Sequence, residues 1–255
     1  MLAGGSRISD SNKYPVLSII TVVYNGEKFL ERTINSVINQ TFSNYEFIII
    51  DGRSTDSTLS IIKKYENRID YWISEKDNGI YDAMNKGLKI AKGKWINFMN
   101  CSDIYYSNNT LNSLFSPFML SGNIQLIYSD WYICNALHSP NVLKSKTSSW
   151  EKGNILHQSI IYDKKLHAKY GLYVVSDNKL ISDYLFFSLI PIALVVKTNI
   201  PISINDTSGI SYGNWCMEQK AIVDLLFKRI NICSFLVKSI IILLKKIIKS
   251  ILKLQ

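Results

Sequence analysis

The chain has 255 residues and a formal net charge of +9, which is enough chain for one buried core with an appendage. Residues 228–255 hold seven basic residues and no acid, so residues 1–227 are nearly neutral, with 22 basic and 20 acidic side chains. Because the charge is confined to one terminal segment, it disfavours a nucleic-acid-binding face. The four cysteines are widely spaced and include no C-x-x-C pair, which argues against a zinc site or a disulfide framework and favours a reducing compartment.

The ends of the chain differ from its middle. Residues 1–14 contain no apolar segment of a secretory signal, and we expect them to be a flexible N-terminal segment. Residues 15–227 are expected to form one domain, and residues 228–255 a separate helix. The longest uncharged runs of the tail are far shorter than the roughly 18–20 residues that a membrane span needs, so no transmembrane helix is predicted.

The first hundred residues alternate between strand-like and helical patterns. Apolar runs predict four strands, at residues 17–23, 46–50, 70–73 and 94–99. Apolar residues at helical spacing predict helices between them, at residues 27–39, 54–65 and 80–91. Four such alternations predict an α/β fold with a doubly wound, mostly parallel sheet and helices on both faces.

Polar clusters follow three of the predicted strands directly. They are Tyr24-Asn25, Asp51-Gly52 and the run from Asn100 to Asp103. Ligands of doubly wound sheets bind beyond the carboxyl ends of the strands, where these clusters are expected to meet. The sequence therefore predicts a binding site at this edge of the sheet.

The pattern is looser after Asp103. The predicted elements are a helix at 110–120, a strand at 124–128, a second strand at 155–162 and a helix at 182–190. Residues 135–152 are polar and irregular, and we expect a mobile loop over the site there. The last of these helices carries Asp183 in its first turn.

Six stretches of this sequence carry a family resemblance. They are LSIITVVYNGEKFLERTINSVINQTFSNYEFIIIDGRSTDST (17–58), EKDNGIYDAMNKGLKIAKGKWINFMNCSD (75–103), IYSD (127–130), HQSIIY (157–162), SDYLFF (182–187) and SGIS (208–211). The chain resembles the family-2 inverting glycosyltransferases of the GT-A fold, especially bacterial enzymes of surface-polysaccharide and O-antigen assembly. The first two stretches are long and specific, and the others are short.

The resemblance implies a nucleotide-sugar pocket. The matching positions are Thr21, Tyr24, Asn25, Asp51, Asp77, Asp82, Asn85 and Ser102. In the family pattern Asp51 contacts the uracil or the ribose. The residues alone leave alternatives open, because Asp51 also suits an Asx-turn and Asp77 and Asp82 suit ion pairs with neighbouring lysines.

The resemblance also implies a metal ion, Mn²⁺ or Mg²⁺, held by Asp103. A divalent cation neutralises the charge that develops on a leaving diphosphate, and it prefers carboxylate and phosphate oxygens. Many relatives have two or three acids in this motif, whereas Cys101-Ser102-Asp103 contains one. The alternative for Asp103 is a helix N-cap.

Asp183 matches the acid that serves as catalytic base in the family. A base must take the proton of the acceptor hydroxyl as that hydroxyl attacks. The apolar neighbours of Asp183 predict a raised pKa, since burial disfavours the charged carboxylate. A helix cap is the alternative role, and Asp163 and Asp177 are the nearest other candidates for the base.

Four further residues are candidates for the acceptor or diphosphate side, namely Asp130, Trp150, His157 and Gln158. Trp150 lies in the predicted loop and could stack on a sugar face. The alternatives are a structural histidine and a core tryptophan.

The tail pattern predicts an amphipathic helix. Its lysines fall within one arc at 100° per residue, and they are Lys238, Lys245, Lys246, Lys249 and Lys253. Isoleucine and leucine occupy the rest, which favours an anionic membrane surface. We therefore expect a cytoplasmic protein bound peripherally to the inner face of the cell membrane. The alternative is a helix packed on the domain or on a partner chain.

These expectations combine into one reading. The protein would transfer a hexose or an N-acetylhexosamine from a UDP-sugar to a saccharide on a polyprenyl diphosphate, forming a β-linkage. The reduced acidic motif motivates a rival, an inactive protein that binds nucleotide-sugars or membrane surfaces. A nucleotidyltransferase is disfavoured because no glycine-rich basic loop follows the first strand, and an NAD enzyme because no G-x-G-x-x-G follows a strand. The tail lysines alternate with Ile and Leu rather than stacking aromatics, which disfavours nucleic acid.

Overall fold

The structure is a computed structural model that describes residues 1–6, 14–115, 123–135, 139–176, 181–207 and 215–251, with side chains for all of these except 139–142, 215 and 245–251. An eight-stranded sheet forms its centre. In spatial order the strands are β1 (Leu2–Gly4), β4 (Tyr71–Ser74), β3 (Tyr45–Asp51), β2 (Leu17–Val23), β5 (Trp95–Phe98), β10 (Ile160–Asp163), β7 (Leu126–Ser129) and β11 (Val195–Thr198).

This sheet is mostly parallel, as the sequence predicts. Strands β4, β3, β2 and β5 are parallel neighbours. Strand β10 is antiparallel to both β5 and β7, and β1 is antiparallel to β4. All seven residues of β2 are buried, which explains why its sequence is a continuous apolar run rather than an alternating one.

Successive side chains of β2 and β3 point to opposite faces of the sheet, and both faces are covered. Helices α3 (Ile80–Ile90), α5 (Lys165–Tyr170) and α6 (Ser182–Ser188) cover one face, and α1 (Leu30–Ile38), α2 (Thr58–Lys64) and α4 (Thr110–Leu114) cover the other. Ile20 and Ile48 belong to the first core cluster, and Ile19 and Phe47 to the second. The predicted α/β fold with helices on both faces is confirmed.

A second sheet has four strands, and the sequence did not predict it. Its order is β6 (Ile104–Tyr105), β12 (Ser203–Asp206), β8 (Trp131–Asn135) and β9 (Ser139–Lys146). The expectation of an irregular loop over residues 135–152 was wrong for its central part, because residues 139–146 form β9, paired antiparallel to β8. Residues 143–147 are exposed, so this edge strand carries lysines and serines in place of an apolar alternation.

The first residues are ordered as an edge strand, in contrast to the flexible segment that we expected. Leu2–Gly4 pair with β4, and the Ser6 amide donates to the Ile69 carbonyl over 3.0 Å. A Cβ atom on Gly4 would lie 2.6 Å from the Trp72 indole nitrogen. Only glycine therefore lets β1 approach Trp72 this closely.

Two helices, α7 (Trp215–Leu226) and α8 (Ile232–Ile251), form a hairpin beside α6. Buried Asp224 on α7 accepts a hydrogen bond from the Tyr184 hydroxyl of α6 and pairs with Lys220 at 2.8 Å. Arg229, in the turn between the two helices, donates to Ser188 Oγ over 2.6 Å. These contacts fix the hairpin to the helix that carries Asp183.

The predicted tail helix is present as α8, and much of its surface is apolar. Phe235 is half-buried and Ile242 is buried, and both lie on the arc that also holds Lys238, whose Nζ is 4.0 Å from Asp224 Oδ2. The large apolar residues of the remaining surface are exposed: Ile232, Leu236, Val237, Ile240, Ile241, Leu243 and Leu244. Among the residues described, no helix combines the length and apolarity needed to cross a bilayer.

Several predicted residues fall beyond what the structure describes. The side chains of Lys245, Lys246 and Lys249 are not described, although their backbone belongs to α8. Lys253, the stretch 208–211, Asp177 and residues 7–13 of the expected N-terminal segment lie outside the described residues. Of the five predicted membrane lysines, the described Lys238 faces Asp224 rather than the exposed apolar surface.

Candidate active site

A cleft of about 590 Å³ opens at the carboxyl edge of the larger sheet. Segments that follow β2, β4 and β5 form one side, and the end of β12 in the second sheet contributes to the other. Its polar and aromatic lining includes Tyr24, Asn25, Asp77, Asn100, Ser102, Asp103, Trp131, Gln158, Asn205 and Asp206. The polar clusters that follow the first and fourth predicted strands therefore meet where the sequence placed them.

A second cavity lies at the opposite edge of the sheet. It measures about 660 Å³, is more open, and is lined by five lysines together with Asp163 as its carboxylate. Asp163 Oδ1 accepts a hydrogen bond from the Lys165 amide over 2.8 Å at the start of α5. Asp163, one of the alternatives for a catalytic base, is thus remote from the carboxyl-edge cleft.

Backbone strain is concentrated at the carboxyl edge. Asn25, Arg53 and Ser102 directly follow β2, β3 and β5, and their φ angles of 51°, 64° and 84° lie in the left-handed region. Non-glycine residues adopt such angles at a cost of about 1–3 kcal/mol each. Their clustering is typical of loops shaped for a ligand rather than for stability.

Asp103 is buried in the wall of the cleft. Its Oδ2 accepts from Gln158 Nε2 over 2.6 Å, and its Oδ1 accepts from the Asp206 amide over 3.0 Å. Burial raises the pKa of Asp103 to about 6, against the opposing effect of the Asp206 and Gln158 hydrogen bonds. The protein thus holds a carboxylate whose charge is only partly compensated.

Asp183 has stronger partners. Tyr81 donates to its Oδ1 over 2.6 Å, and His157 Nδ1 lies 2.7 Å from its Oδ2. Burial acts to raise the pKa of Asp183, but the interaction with His157 and the Tyr81 hydrogen bond outweigh it, so the pKa is lowered. The expectation of a raised pKa was wrong because it considered only the apolar neighbours.

One short turn, His157–Ser159, connects the two acids. His157 contacts Asp183, while the next residue, Gln158, contacts Asp103. His157 Nε2 also lies 2.8 Å from Nδ2 of Asn100, in the same motif as Asp103. The structure therefore links Asp103, Gln158, His157 and Asp183 through hydrogen bonds, and of these four residues Asp103 and Gln158 line the cleft.

Asp51 and Thr21 do not line the cleft. The Asp51 carboxylate is fully buried, accepting from the Ser54 amide over 3.2 Å and from the Ser74 hydroxyl over 2.5 Å. The donors that satisfy Asp51 are thus the Ser54 amide, three residues on instead of the two of an Asx-turn, and the hydroxyls of Ser54 and Ser74. The Thr21 hydroxyl donates to the Met99 carbonyl over 2.7 Å, so Thr21 joins β2 to the end of β5 instead of edging the pocket.

The candidates in and before α3 have different surroundings. Asp77 lines the cleft, its Oδ1 accepts from the Gly79 amide over 3.0 Å, and burial raises its pKa. Asp82 accepts from the Asn78 amide over 2.9 Å in the turn that opens α3. The Asn85 side chain is buried and bonds the backbone of Tyr173 in both directions, at 2.8 and 3.0 Å. Asn85 therefore holds the segment before α6 instead of facing the cleft.

Asp130 and Trp150 do not line this cleft. Asp130 pairs with Lys197 at 2.7 Å and accepts from the Ser148 amide over 2.7 Å. Trp150 belongs to the core, with its ring 5.6 Å from that of Tyr128 and 6.4 Å from that of Phe187. Trp150 therefore takes the core position that was the alternative to sugar stacking, because the end of that segment packs under α6.

The sequence reasoning missed Tyr81, Trp131 and Asp206. Tyr81 directly precedes Asp82 in the recognised stretch, yet only the docking of α6 brings it to Asp183. Trp131 and Asp206 lie on strands of the second sheet, whose pairing joins segments about 70 residues apart. Asp206 Oδ2 is 3.6 Å from Arg32 Nη1, another contact between distant segments.

Two buried amide oxygens of the cleft, Asn100 Oδ1 and Gln158 Oε1, have no hydrogen-bond partner. Buried polar atoms without partners are costly, and a bound ligand or its water would satisfy them. The described residues contain no group of three His, Cys, Asp or Glu side chains that could hold a metal ion. A divalent cation would therefore rely on Asp103 and on oxygens of the ligand, a donor set that suits Mg²⁺ or Mn²⁺.

Comparison with known proteins identifies the family. The profile described as Glycosyl transferase family 2 matches residues 18–167, more than half of the chain. The chain belongs to glycosyl transferase family 2. This family assignment agrees with the sequence resemblance.

Curated relatives match part of the chain. A PGL/p-HBAD biosynthesis glycosyltransferase of Mycobacterium bovis is 28% identical over 172 residues, which cover 62% of this chain and 63% of the relative. An uncharacterized glycosyltransferase of Rickettsia prowazekii is 37% identical over 106 residues, covering 39% of this chain and 33% of the relative. This chain thus spans under two thirds of these relatives' lengths. The mycobacterial name refers to PGL/p-HBAD, so these matches do not confirm the O-antigen branch.

Solved structures share the fold. The match to S. aureus TarS 1–349 in complex with UDP has a TM-score of 0.62 at 20% identity, covering 82% of this chain and 65% of that one. The mannosyltransferase PcManGT from Pyrobaculum calidifontis, in complex with GDP-Man and Mn²⁺, has a TM-score of 0.59 at 14% identity, covering 83% and 62%. The GT-A-like architecture expected from the sequence is confirmed.

Proposed function

We propose that the protein is an inverting glycosyltransferase that moves one sugar from a nucleotide-sugar to a saccharide carried on a polyprenyl diphosphate, forming a β-linkage in surface-polysaccharide assembly. The supporting observation is the His157–Ser159 turn, which bridges the acid expected at the leaving group and the acid expected at the acceptor. Asp103 and Asp183 are 80 residues apart in the chain. The consecutive residues His157 and Gln158 contact Asp183 and Asp103 respectively, so one turn links the two acids, an arrangement that suits a reaction of two substrates.

The donor half of the reaction is assigned to the cleft. Asp103 would hold a divalent cation that neutralises the departing diphosphate. Tyr24, Asn25, Asp77 and Ser102 line the same cleft and would contact the nucleotide or the sugar. Asp51 and Thr21 lie behind this wall, where their side chains bond neighbouring residues of the sheet. We therefore assign them a supporting role in shaping the cleft.

The acceptor half is assigned to Asp183. The acceptor O–H gives its proton to the Asp183 carboxylate while its oxygen bonds to the anomeric carbon. The bond from that carbon to the diphosphate oxygen breaks, and its electron pair leaves with the nucleoside diphosphate. A carboxylate held in its ionised form is ready for this proton transfer at neutral pH. Attack opposite to the leaving group produces inversion.

A UDP-sugar, either a UDP-hexose or a UDP-N-acetylhexosamine, is the proposed donor. TarS has been solved in complex with UDP and with UDP-GlcNAc, and PcManGT in complex with GDP-Man and Mn²⁺. The organic ligands of these complexes are all nucleotides or nucleotide-sugars, which supports this class of donor for a chain of the same fold.

The membrane part of the proposal concerns α8. From Ile232 to Leu244 its exposed surface is formed largely by seven large apolar residues, which is a costly arrangement in water. The following lysines of the tail would meet anionic headgroups, each contributing about 1 kcal/mol. We therefore place α8 in the plane of the cytoplasmic leaflet, where a polyprenyl-linked acceptor is presented. The hairpin contact with α6 would then hold Asp183 near that surface.

The test is a transfer assay with radiolabelled nucleotide-sugars and synthetic lipid-diphosphate monosaccharides, with Mn²⁺ and with Mg²⁺. We expect one donor to give a β-linked product, and we expect Asp103→Ala and Asp183→Asn to abolish it. UDP binding without turnover on any acceptor would instead support the inactive binding protein that the single acid of the metal motif suggests. Full turnover by both variants would refute the assigned roles.

A separate measurement tests the membrane assignment. Deleting residues 228–255 should release the protein from vesicles that contain anionic lipids, as measured by co-sedimentation. Vesicles of neutral lipid are the control for the contribution of the lysines. Unchanged sedimentation of the truncated chain would reject the assignment.

A further inference from the structure

Three hydrogen-bonded polar side chains, Asn100, His157 and Asp183, lead inward from the wall of the cleft. Asn100 lines the cleft, its Nδ2 lies 2.8 Å from His157 Nε2, and His157 Nδ1 lies 2.7 Å from Asp183 Oδ2. His157 is largely buried, with 9% of its side chain exposed, and Asp183 has 17% exposed. Neither the family comparison nor the relatives' names assign a role to Asn100 or His157.

The contact between Asn100 and His157 determines which ring nitrogen of the neutral histidine carries the proton. An amide nitrogen donates hydrogen bonds and does not accept them, so His157 Nε2 must be the acceptor from Asn100. The proton of the neutral imidazole is then on Nδ1, where it is donated to Asp183. The direction of both hydrogen bonds follows from the chemistry of the Asn100 amide.

The second oxygen of Asp183 has a partner from another element. Tyr81, near the start of α3, donates its hydroxyl proton to Oδ1 over 2.6 Å. Each carboxylate oxygen therefore has one side-chain donor, and the backbone of Tyr184 donates a further hydrogen bond to the carboxylate. Because the donors come from α3 and from the His157–Ser159 turn, the carboxylate is held from two directions and cannot rotate freely.

We propose that Asn100 and His157 are positioning residues for Asp183, and that together with Tyr81 they orient the carboxylate toward the acceptor hydroxyl. The proposal rests on the proposed function, because it gives Asp183 the role of base. Asn100 belongs to the motif that ends in Asp103, so the same segment serves both halves of the reaction. A shift of that segment would therefore be transmitted to Asp183.

Several titratable groups surround the Asp183 carboxylate and interact with its charge. Tyr81 and His157 contact it directly, and the buried hydroxyls of Tyr162 and Tyr173 lie close enough for its charge to raise their pKa values. Cys216, near Tyr81, is a further titratable neighbour. Of these groups His157 has the largest lowering effect on the pKa of Asp183. Its removal should shift that pKa upward, and the reaction should become sensitive to acid.

Three substitutions at His157 separate its two hydrogen bonds. His157→Asn places an amide nitrogen near the position of Nδ1 and keeps the donor to Asp183. His157→Gln extends toward the position of Nε2 and keeps only the contact with Asn100. His157→Leu removes both. We expect kcat to fall roughly 100-fold in His157→Leu and His157→Gln and less than 10-fold in His157→Asn, with little change in the Kd for UDP.

The pH dependence adds a readout that a structural role would not change. The ratio of the variant's kcat to that of the natural chain is measured from pH 5 to pH 8, which cancels any titration common to both proteins. The ratio should fall toward pH 5 for His157→Leu and His157→Gln and stay flat for His157→Asn. Circular dichroism and UDP affinity check the fold, and if His157→Leu does not fold, the Asn and Gln variants carry the comparison.

The outcomes are distinguishable from a failure of the proposed function. If the natural chain transfers no sugar, or if Asp183→Asn is fully active, the assignment of the base fails and the His157 proposal fails with it. If Asp183→Asn is inactive but His157→Asn is no better than His157→Gln, the positioning role alone is overturned. A pH-independent ratio in the Gln variant overturns it as well.

Discussion

Asp103 is buried and Asp183 is largely buried, yet their surroundings shift the pKa values of the two acids in opposite directions. Asp103 receives one amide and one backbone hydrogen bond, and burial raises its pKa to about 6. Asp183 receives hydrogen bonds from His157 and Tyr81, and its pKa is lowered. Burial alone therefore does not determine the charge of a carboxylate here. Its hydrogen-bond partners decide whether its pKa lies above or below the usual value.

The largest predicted effect is on the chemical step at Asp183. Asp183→Asn removes the proton acceptor, and general-base catalysis typically contributes about 10²–10⁴-fold, so we expect kcat to fall by that amount. Asp163→Asn is the matched control, because Asp163 is also buried but caps α5 at the opposite edge of the sheet. Steady-state transfer assays compare the two, and equal losses in both variants would contradict the assignment.

The next largest effect concerns the donor side. Asp103→Asn removes the carboxylate proposed to hold the cation, and losing a few kcal/mol of charge stabilisation corresponds to roughly a 100-fold loss of transfer. We expect the Mn²⁺ dependence of UDP binding, measured by calorimetry, to disappear. Glu31→Gln is the control, since Glu31 is an exposed acid paired with Lys64. Mn²⁺-dependent binding that survives in Asp103→Asn would place the cation elsewhere.

The same two variants should change stability in opposite directions at pH 7. A carboxyl whose pKa is raised to about 6 on folding costs up to about 1–3 kcal/mol above that pH, so Asp103→Asn should stabilise the fold. Asp183→Asn leaves His157 Nδ1 facing an amide and should cost about 1–3 kcal/mol. Urea denaturation measures the free energy of unfolding of each. If both variants changed the free energy of unfolding in the same direction, the proposed difference between Asp103 and Asp183 would be contradicted.

The pH dependence of these stability changes follows from the two pKa shifts. The unfavourable contribution of Asp103 develops as the pH rises from about 4 to about 6, so the benefit of Asp103→Asn should vanish near pH 4. The pKa of Asp183 is lowered, so its favourable contribution is present above about pH 4 and is lost only below it. The change in unfolding free energy caused by Asp103→Asn should therefore be smaller at pH 5 than at pH 7. The change caused by Asp183→Asn should be nearly the same at both pH values.

The smallest effect is expected at Tyr81. Tyr81→Phe removes one of the two side-chain hydrogen bonds to Asp183 while that of His157 remains, so kcat should fall about 3–10-fold and the free energy of unfolding by about 1 kcal/mol. Tyr71→Phe, at a half-buried tyrosine of β4, is the matched control. A 100-fold loss in Tyr81→Phe would mean that the hydroxyl itself takes part in proton transfer.

The parallel half of the fold was predictable because its signals are local. Buried strands such as Leu17–Val23 read as continuous apolar runs, and polar residues follow them at the carboxyl edge. The second sheet was not predictable, since β12 pairs with β8 from about 70 residues away and exposed β9 has no apolar alternation. The same reason hid the environment of Asp183, whose partners Tyr81 and His157 are 102 and 26 residues distant.

The most direct test of the account is a single-turnover transfer by Asp183→Asn, with donor and cation bound before the acceptor is added. This measurement isolates the chemical step from product release. We predict that the variant binds UDP as tightly as the natural chain and transfers the sugar about 10²–10⁴-fold more slowly. Transfer at the rate of the natural chain would contradict the assignment of Asp183 as the group that receives the proton.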